Sequence, residues 1–335
     1  MAFDNPIHKD DEEMEKTVAP SMDSLRSSLS RLIFQLGNAG FVEQSQGVRE
    51  MALELGAFDR PGQFPGNRYF PELESRPIYH EDKPWFVELL EENADGIREE
   101  VESLQNQRDH GFQQVDEKLY TGTWDQVFFY SNGRRIPSTA ELFPFTSSVI
   151  DQIPEATSMT MGCTTFSWLQ PGTVVVPHCG PTNARLRCHL GLRVPDGAKF
   201  RIGDEWTGWE EGKCLVFDDS FEHEVIHEGN ESRVILLMDF WHPDVTEEQK
   251  KSLAPSNPFS GDMIKSSRDF LKKSSLQSIQ LSESGQLNAE IEPHIAEIIS
   301  KNLGKFNLEE ISLDERGDFS VVSRDFGRIR MEPKA

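Results

Sequence analysis

Histidine and arginine side chains stand among apolar neighbours, at strand spacing, in two stretches of this 335-residue chain. In the first, PHCGPTNARLRCHLGL, a strand over 184–192 puts Arg185, Arg187, His189 and Gly191 on one face. Leu186, Cys188, Leu190 and Leu192 share the other face, which is core. Two guanidinium groups and an imidazole in a row either face solvent or meet an anionic partner inside. In the second stretch, FDDSFEHEVIHEGNESRVILLMDFW, Phe221, His223, Val225 and His227 line up on one strand face. A Gly-Asn turn follows, and a return strand carries Arg233 among Val234, Ile235, Leu236 and Leu237. A charge in such surroundings asks for a specific buried partner. Folded as a hairpin, the segment sets Arg233 two or three residues along the sheet from His223, roughly 7–10 Å.

His178 closes an apolar run (Val174, Val175, Val176) just before the turn-like CGPTN. Two histidines from different strands begin a non-haem iron centre, which ordinarily adds one carboxylate. At the usual His-x-Asp/Glu spacing that place is held by Gly180. A lone histidine pair is more often structural than metal-binding. If a metal is held near His223, a dicarboxylate chelating it reaches Arg233 with its far end.

The elements that must position these residues follow from periodicity. Residues 1–20 read as a polar, acidic tail, and Leu25, Leu29, Leu32, Ile33 and Leu36 predict one or two helices over 21–55. DRPGQFPGNRYFPELESRP, dense in Pro and Gly, reads as an extended linker. Phe86, Leu89, Leu90, Ile97, Val101 and Leu104 form one stripe of a helix over 83–105. From 124 to 244 short β-type runs alternate with turn residues, which predicts a mainly β fold with flanking helices. A double-stranded β-helix of the jelly-roll or cupin-like kind is one such core. The division expected is a tail and helical segment over 1–75, the β domain over 76–254 and an extension over 255–335. In that extension Ile291, Ile295, Ile298, Ile299 and Leu303 predict one helix.

Charge and composition exclude several function classes. A net charge of −23 argues against nucleic acid held on a basic face. No apolar run approaches the roughly 20 residues of a membrane span, and no secretory signal opens the chain, so a cytoplasmic location is expected. Cys163, Cys179, Cys188 and Cys214 form no CxxC pair and no disulfide framework. A small anionic co-substrate then needs a locally basic pocket, which the two stretches supply.

PGTVVVPHCGPTNARLRCHLGL, WEEGKCLVFDDSFEHEV and DFWHPDVT closely resemble the aspartyl/asparaginyl β-hydroxylase family, over about residues 76–254. The resemblance implies a double-stranded β-helix using Fe(II), 2-oxoglutarate and O2. It also implies an iron site of two histidines without a protein carboxylate, water taking the vacant position, which accounts for Gly180. His178 and His223 match the metal-binding histidines. Arg233 and Ser167 match positions that hold the distal carboxylate of 2-oxoglutarate, and Arg187 and His189 match residues near the other carboxylate. Arg185 and Arg187 are the candidates for an anionic group of the substrate, and His227 is expected to be structural. One departure is Thr165, which stands where protein-hydroxylating members carry a lysine. The implied reaction couples decarboxylation of 2-oxoglutarate to hydroxylation of an unactivated C–H bond, in an Asp or Asn side chain of a protein or peptide. The rivals are the same chemistry on a lipid or small molecule, a halogenase, and a non-catalytic binding module of the same fold.

Overall fold

The computed structural model describes residues 22–104, 113–114, 119–253, 279–280, 308–313, 319–323 and 327–331. Two helices open it, α1 (Met22–Asn38) and α2 (Val42–Glu54). The three- and four-residue spacing of Leu29, Leu32, Ile33 and Leu36 gives α1 a buried stripe. It packs on Val48, Met51 and Ala52 of α2 and on Phe58, Phe64 and Tyr69 of the segment that follows.

That segment is not the extended linker its Pro and Gly content predicts. Proline and glycine keep it irregular, yet Phe64, Tyr69 and Phe70 are buried, and burying three aromatics holds an irregular chain in place. Gln63, fully buried, donates from Nε2 to Asp218 Oδ2 at 3.1 Å and to Ser220 Oγ at 2.9 Å. The Gly66 and Asn67 amides donate to the Gly180 and Pro181 carbonyls at 3.2 and 2.9 Å.

The helix expected over 83–105 breaks in two, α3 (Phe86–Glu92) and α4 (Ala94–Leu104). At the break Asn93 donates from Nδ2 to the Leu89 carbonyl at 2.8 Å, the kind of local bond by which Asn competes with helix continuation. Phe86, Leu90, Ile97 and Val101 are buried as the stripe requires. Then come β1 (Gln113–Gln114), β2 (Tyr120–Thr121), β3 (Trp124–Ser131) and β4 (Arg134–Arg135). The β3–β4 turn is carried by Asn132 and Gly133 at φ 51° and 72°, the left-handed pair that a two-residue hairpin needs. Short helices α5 (Pro137–Leu142), α6 (Pro144–Ile150) and α7 (Pro154–Thr157) lead into the barrel.

Eight strands make that barrel: β5 (Cys163–Leu169), β6 (Val174–His178), β7 (Arg185–Arg193), β8 (Ala198–Ile202), β9 (Glu205–Thr207), β10 (Cys214–Phe217), β11 (His223–His227) and β12 (Arg233–Trp241). They fall into two antiparallel sheets, ordered β5-β12-β7-β10 and β6-β11-β8-β9, with β3 extending the first and β2 the second. The chain thus changes sheet repeatedly, which is double-stranded β-helix topology. Even residues of β7 and β12 (Leu186, Cys188, Leu190, Leu192; Val234, Leu236, Met238, Phe240) pack outward against Phe86, Leu90 and Ile97. Ile235 and Leu237 of β12 pack inward with Phe200, Phe217 and Val225. Both faces are core, so the odd-numbered polar residues of these strands are trapped between the sheets.

β11 and β12 do not form the expected hairpin. β11 pairs with β6 and β8, whereas β12 pairs with β5 and β7 in the other sheet. The Gly-Asn turn signal is local, and pairing across the barrel overrides it. Helix α8 (Glu247–Leu253) follows. Farther on, β13 (Ile279–Gln280), β14 (Leu308–Leu313), β15 (Phe319–Ser323) and β16 (Gly327–Met331) form an antiparallel sheet that the sequence did not lead us to expect. The tail over 1–20 and the helix expected at 291–303 lie outside the described residues. Among the described residues no helix is long and apolar enough to cross a membrane.

Candidate active site

His178 ends β6, His223 begins β11, and the two are register partners in the ladder between these strands. Their rings stand 4.2 Å apart between centroids. Each Nδ1 lies against a carbonyl two residues earlier, Val176 at 2.8 Å and Phe221 at 2.9 Å. A carbonyl only accepts, so both Nδ1 atoms carry the proton and both Nε2 lone pairs are left for a ligand. Burial holds both imidazoles below their ordinary pKa, His223 well below, so both are neutral at pH 7, as metal ligands must be.

Gly180 stands two residues beyond His178, and the space a side chain there would enter is taken. A Cβ on Gly180 would lie 2.6 Å from the carboxylate carbon and both oxygens of Asp219. Among the described residues no three His, Cys, Asp or Glu side chains cluster as a metal-ligand set. His178 and His223 thus stand as a pair of imidazoles without a third such ligand, and Asp219 carries its carboxylate into the space beside Gly180. Asp219 Oδ1 is buried and has no protein hydrogen-bond partner.

Arg233 begins β12 and is 2% exposed. Its guanidinium lies 4.7 Å from the Trp209 ring centroid, and it donates to Ser167 Oγ at 3.4 Å. Its Nε is buried without a partner, and among the described residues no carboxylate pairs with it. Burial pulls its pKa down to about 9, so it is still charged at pH 7. Ser167 Oγ also accepts from Trp124 Nε1 at 2.9 Å. Both acceptor sites of that hydroxyl are then used and its proton is free to donate. His189, on the inner face of β7, accepts from Trp209 Nε1 at its Nδ1, 3.1 Å away. Its Nε2 therefore carries a proton, and that buried donor has no partner. Arg233 Nε and His189 Nε2 are thus orphaned donors, with the Ser167 hydroxyl beside Arg233. A small dicarboxylate is a ligand whose chemistry would satisfy them.

Arg185 and Arg187 differ from Arg233, because each already has anionic partners. Arg187 Nε donates to Asp239 Oδ1 at 2.7 Å, and its Nη2 lies 3.3 Å from Asp219 Oδ2. Arg185 pairs closely with Asp219 and lies 3.5 Å from Asp239 Oδ2. The inner face of β7 is therefore a buried ion-pair cluster and not a solvated strand face. Asp219 and Asp239 are site residues that sequence reasoning missed. A signal for Asp239 existed: it shares the alternation of Arg233, Ile235 and Leu237, and β12 sets it opposite Arg187. Thr165, fully buried, has its hydroxyl 2.9 Å from the Val127 carbonyl and 2.8 Å from its neighbour Phe166's. His227 lies with Nε2 2.7 Å from the Glu231 carbonyl, which fixes the turn into β12. A cavity of about 640 Å³ reaches His178, Arg185, Arg187 and Asp219, and α1 closes one side. The Ser131–Asn132 turn borders it.

Residues 91–243 match the family model described as Aspartyl/Asparaginyl beta-hydroxylase, a little under half of the chain. The human protein named aspartyl/asparaginyl beta-hydroxylase is 40% identical over 186 residues, which are 54% of this chain and 24% of that protein. The mouse aspartate beta-hydroxylase domain-containing protein 2 is 35% identical over 217 residues, 62% of this chain and 63% of that one. The chain thus spans less than two thirds of the length of either relative. A Pseudomonas putida prolyl-4-hydroxylase structure overlaps 44% of this chain and 86% of its own at 13% identity, but its TM-score of 0.31 is too low to argue from. The motif blocks around His178 and His223 lie inside the matched stretch, so residues 91–243 of this chain are similar to the aspartyl/asparaginyl β-hydroxylase family.

Proposed function

We propose that the chain is an Fe(II)- and 2-oxoglutarate-dependent dioxygenase that hydroxylates an unactivated C–H bond. The observation that carries the reading is Arg233, a buried and charged guanidinium without a carboxylate, in a barrel whose paired histidines keep both Nε2 lone pairs free. His178 and His223 would hold the iron. Bound there, Fe(II) with 2-oxoglutarate and O2 supplies the oxidising power for C–H hydroxylation. The chain's own residues orient and shield. The Val176 and Phe221 carbonyls fix the two rings and their tautomers. Arg233 and the Ser167 hydroxyl grip the far carboxylate of 2-oxoglutarate, and His189 Nε2–H serves the end nearer the metal. Asp219, held by Arg185 and Arg187, would keep its unpartnered Oδ1 as a hydrogen-bond acceptor beside the site, where position 180 brings no carboxylate. The Trp209 and Phe200 rings, both buried and stacked 5.5 Å apart, exclude bulk solvent.

The relatives' names make the β-carbon of Asp or Asn a candidate target. A small-molecule substrate is the second reading, favoured by Thr165, a neutral buried residue where the protein-hydroxylating members of the family resembled carry a lysine. The cofactor reading is tested by adding Fe(II) and 2-oxoglutarate to metal-free protein without oxygen and recording visible charge-transfer absorption. We expect a band that His178→Ala and His223→Ala each abolish. Arg233→Ala should need roughly a hundredfold more 2-oxoglutarate to reach it. No band at any concentration would leave a non-catalytic binding module of the same fold.

A further inference from the structure

We infer that the substrate is a small molecule with an uncharged alkyl or aryl body, selected by a wall that helix α1 contributes from outside the family-matched stretch. The inference rests on the hydroxylase reading above.

The cavity beside His178, at about 640 Å³, has the size of a small-molecule site. Ile33 and Phe34 of α1, Phe64, Trp124, Phe128 and Met161 line it. Its charged residues cancel: Arg31, Arg185 and Arg187 against Asp219, Glu222 and Asp239. Arg185 and Arg187 are committed to Asp219 and Asp239. Glu222 is committed to Arg49 and Arg201. An entering carboxylate would meet two buried carboxylates and would have to compete for cations that already have partners, an arrangement that rejects an acidic side chain. Thr165, a neutral side chain buried with its hydroxyl on backbone carbonyls, supplies no cation in place of a lysine. The net charge of −23 further repels anionic molecules at longer range.

The wall is held firmly. Ser30 Oγ donates to the Phe64 carbonyl and Arg26 Nε to the Ala57 carbonyl, each at 2.6 Å. Arg49 of α2 pairs with Glu222, the neighbour of His223. Phe34, half-buried, lines this cavity and also a second of about 500 Å³ behind it. With Ile33 and Phe64 it forms the apolar partition between the two.

The test uses the full chain loaded with Mn(II) and 2-oxoglutarate, and N-phenyl-1-naphthylamine, an uncharged aryl probe that fluoresces in apolar surroundings. We expect saturable binding, displacement by decanamide, and no displacement by an Asp-containing peptide at the same concentration. Phe34→Asp should weaken probe binding at least about tenfold, while Phe34→Leu holds it within about threefold. Calorimetric 2-oxoglutarate affinity reports the fold of each variant and should move by less than about twofold. The inference is overturned by no saturable binding where 2-oxoglutarate binds, by equal probe affinity in Phe34→Asp, or by displacement with the acidic peptide and not the amide. Failure of 2-oxoglutarate itself to bind sinks the hydroxylase reading and this inference with it, and is thereby told apart from the other outcomes.

Discussion

Replacing Arg233 by methionine should stabilise the ligand-free protein while removing its response to 2-oxoglutarate. The guanidinium is 2% exposed and has no carboxylate partner among the described residues. Burial alone lowers its pKa from 12.5 to about 9. At about 1.4 kcal/mol per unit, that is a desolvation penalty on the order of 5 kcal/mol. Stacking on Trp209 offsets about 2 kcal/mol, and the long hydrogen bond to Ser167 about 1 kcal/mol. A penalty of roughly 2 kcal/mol is left, which an unbranched apolar side chain of similar length escapes. For a folded part of this size the gain corresponds to roughly 4–8 °C in melting temperature. In the wild type a dicarboxylate turns that penalty into a buried ion pair, so 2-oxoglutarate with Mn(II) should raise its melting point. Arg233→Met should show no such rise. The assay is a thermal melt of both proteins with and without ligand. A variant that melts several degrees below the wild type without ligand, or that keeps the ligand-induced rise, refutes the argument.

Other perturbations probe the rest of the site. Gly180→Asp should not restore a carboxylate beside the iron, because Asp219 fills the space 2.6 Å from a Cβ there; urea unfolding should show a loss of more than about 2 kcal/mol. Asp239→Leu leaves Arg185 and Arg187 short of one of their two anions and should cost about 3–5 kcal/mol by the same measurement; a change below about 1 kcal/mol would contradict the cluster. In the metal-free protein, stability should fall as pH drops from 7.5 to 5.5. Burial holds His178, His189 and His223 below the ordinary imidazole value of 6.5, so the unfolded chain takes up protons that the folded one refuses. This removes up to about 4 kcal/mol over that range. Asp218, raised to about 7, binds its proton in the folded state and returns about 2 kcal/mol, so the histidines prevail; denaturant midpoints that stay flat or rise on acidification would show the signs to be wrong.

Period-two alternation made β7 and β12 legible as strands with one apolar and one charged face, and the structure keeps those faces. Family resemblance singled out His178, His223, Arg233 and Ser167. Of these, His178 and His223 meet as register partners, and Arg233 reaches Ser167. What could not be read was pairing between distant segments. The β11–β12 connection looked like a hairpin because its turn residues are local signals, whereas sheet membership depends on β6, β8, β5 and β7. Asp219 and Asp239 were missed for the same reason: a buried arginine announces its need for an anion, but not which carboxylate folds against it. The segment over 59–77 was misjudged because Pro and Gly report on backbone regularity and say nothing about where aromatic side chains are buried.

The packing of that segment separates the inherited unit from the unit that can stand alone. The family-matched stretch begins at residue 91, yet the chain before it supplies Ile78, bridged to Phe217, and Gln63, bridged to Phe221 two residues ahead of His223. Excised at residue 91, the barrel would lose the backbone partners of its own rim and expose the apolar seat of Phe70 and Leu73, made by Met159, Ala184, Trp241 and Val245. A transplant of the recognisable motif alone would therefore carry both histidines but not the frame that aims one of them. Any recombination event that preserves the site must cut upstream of α1.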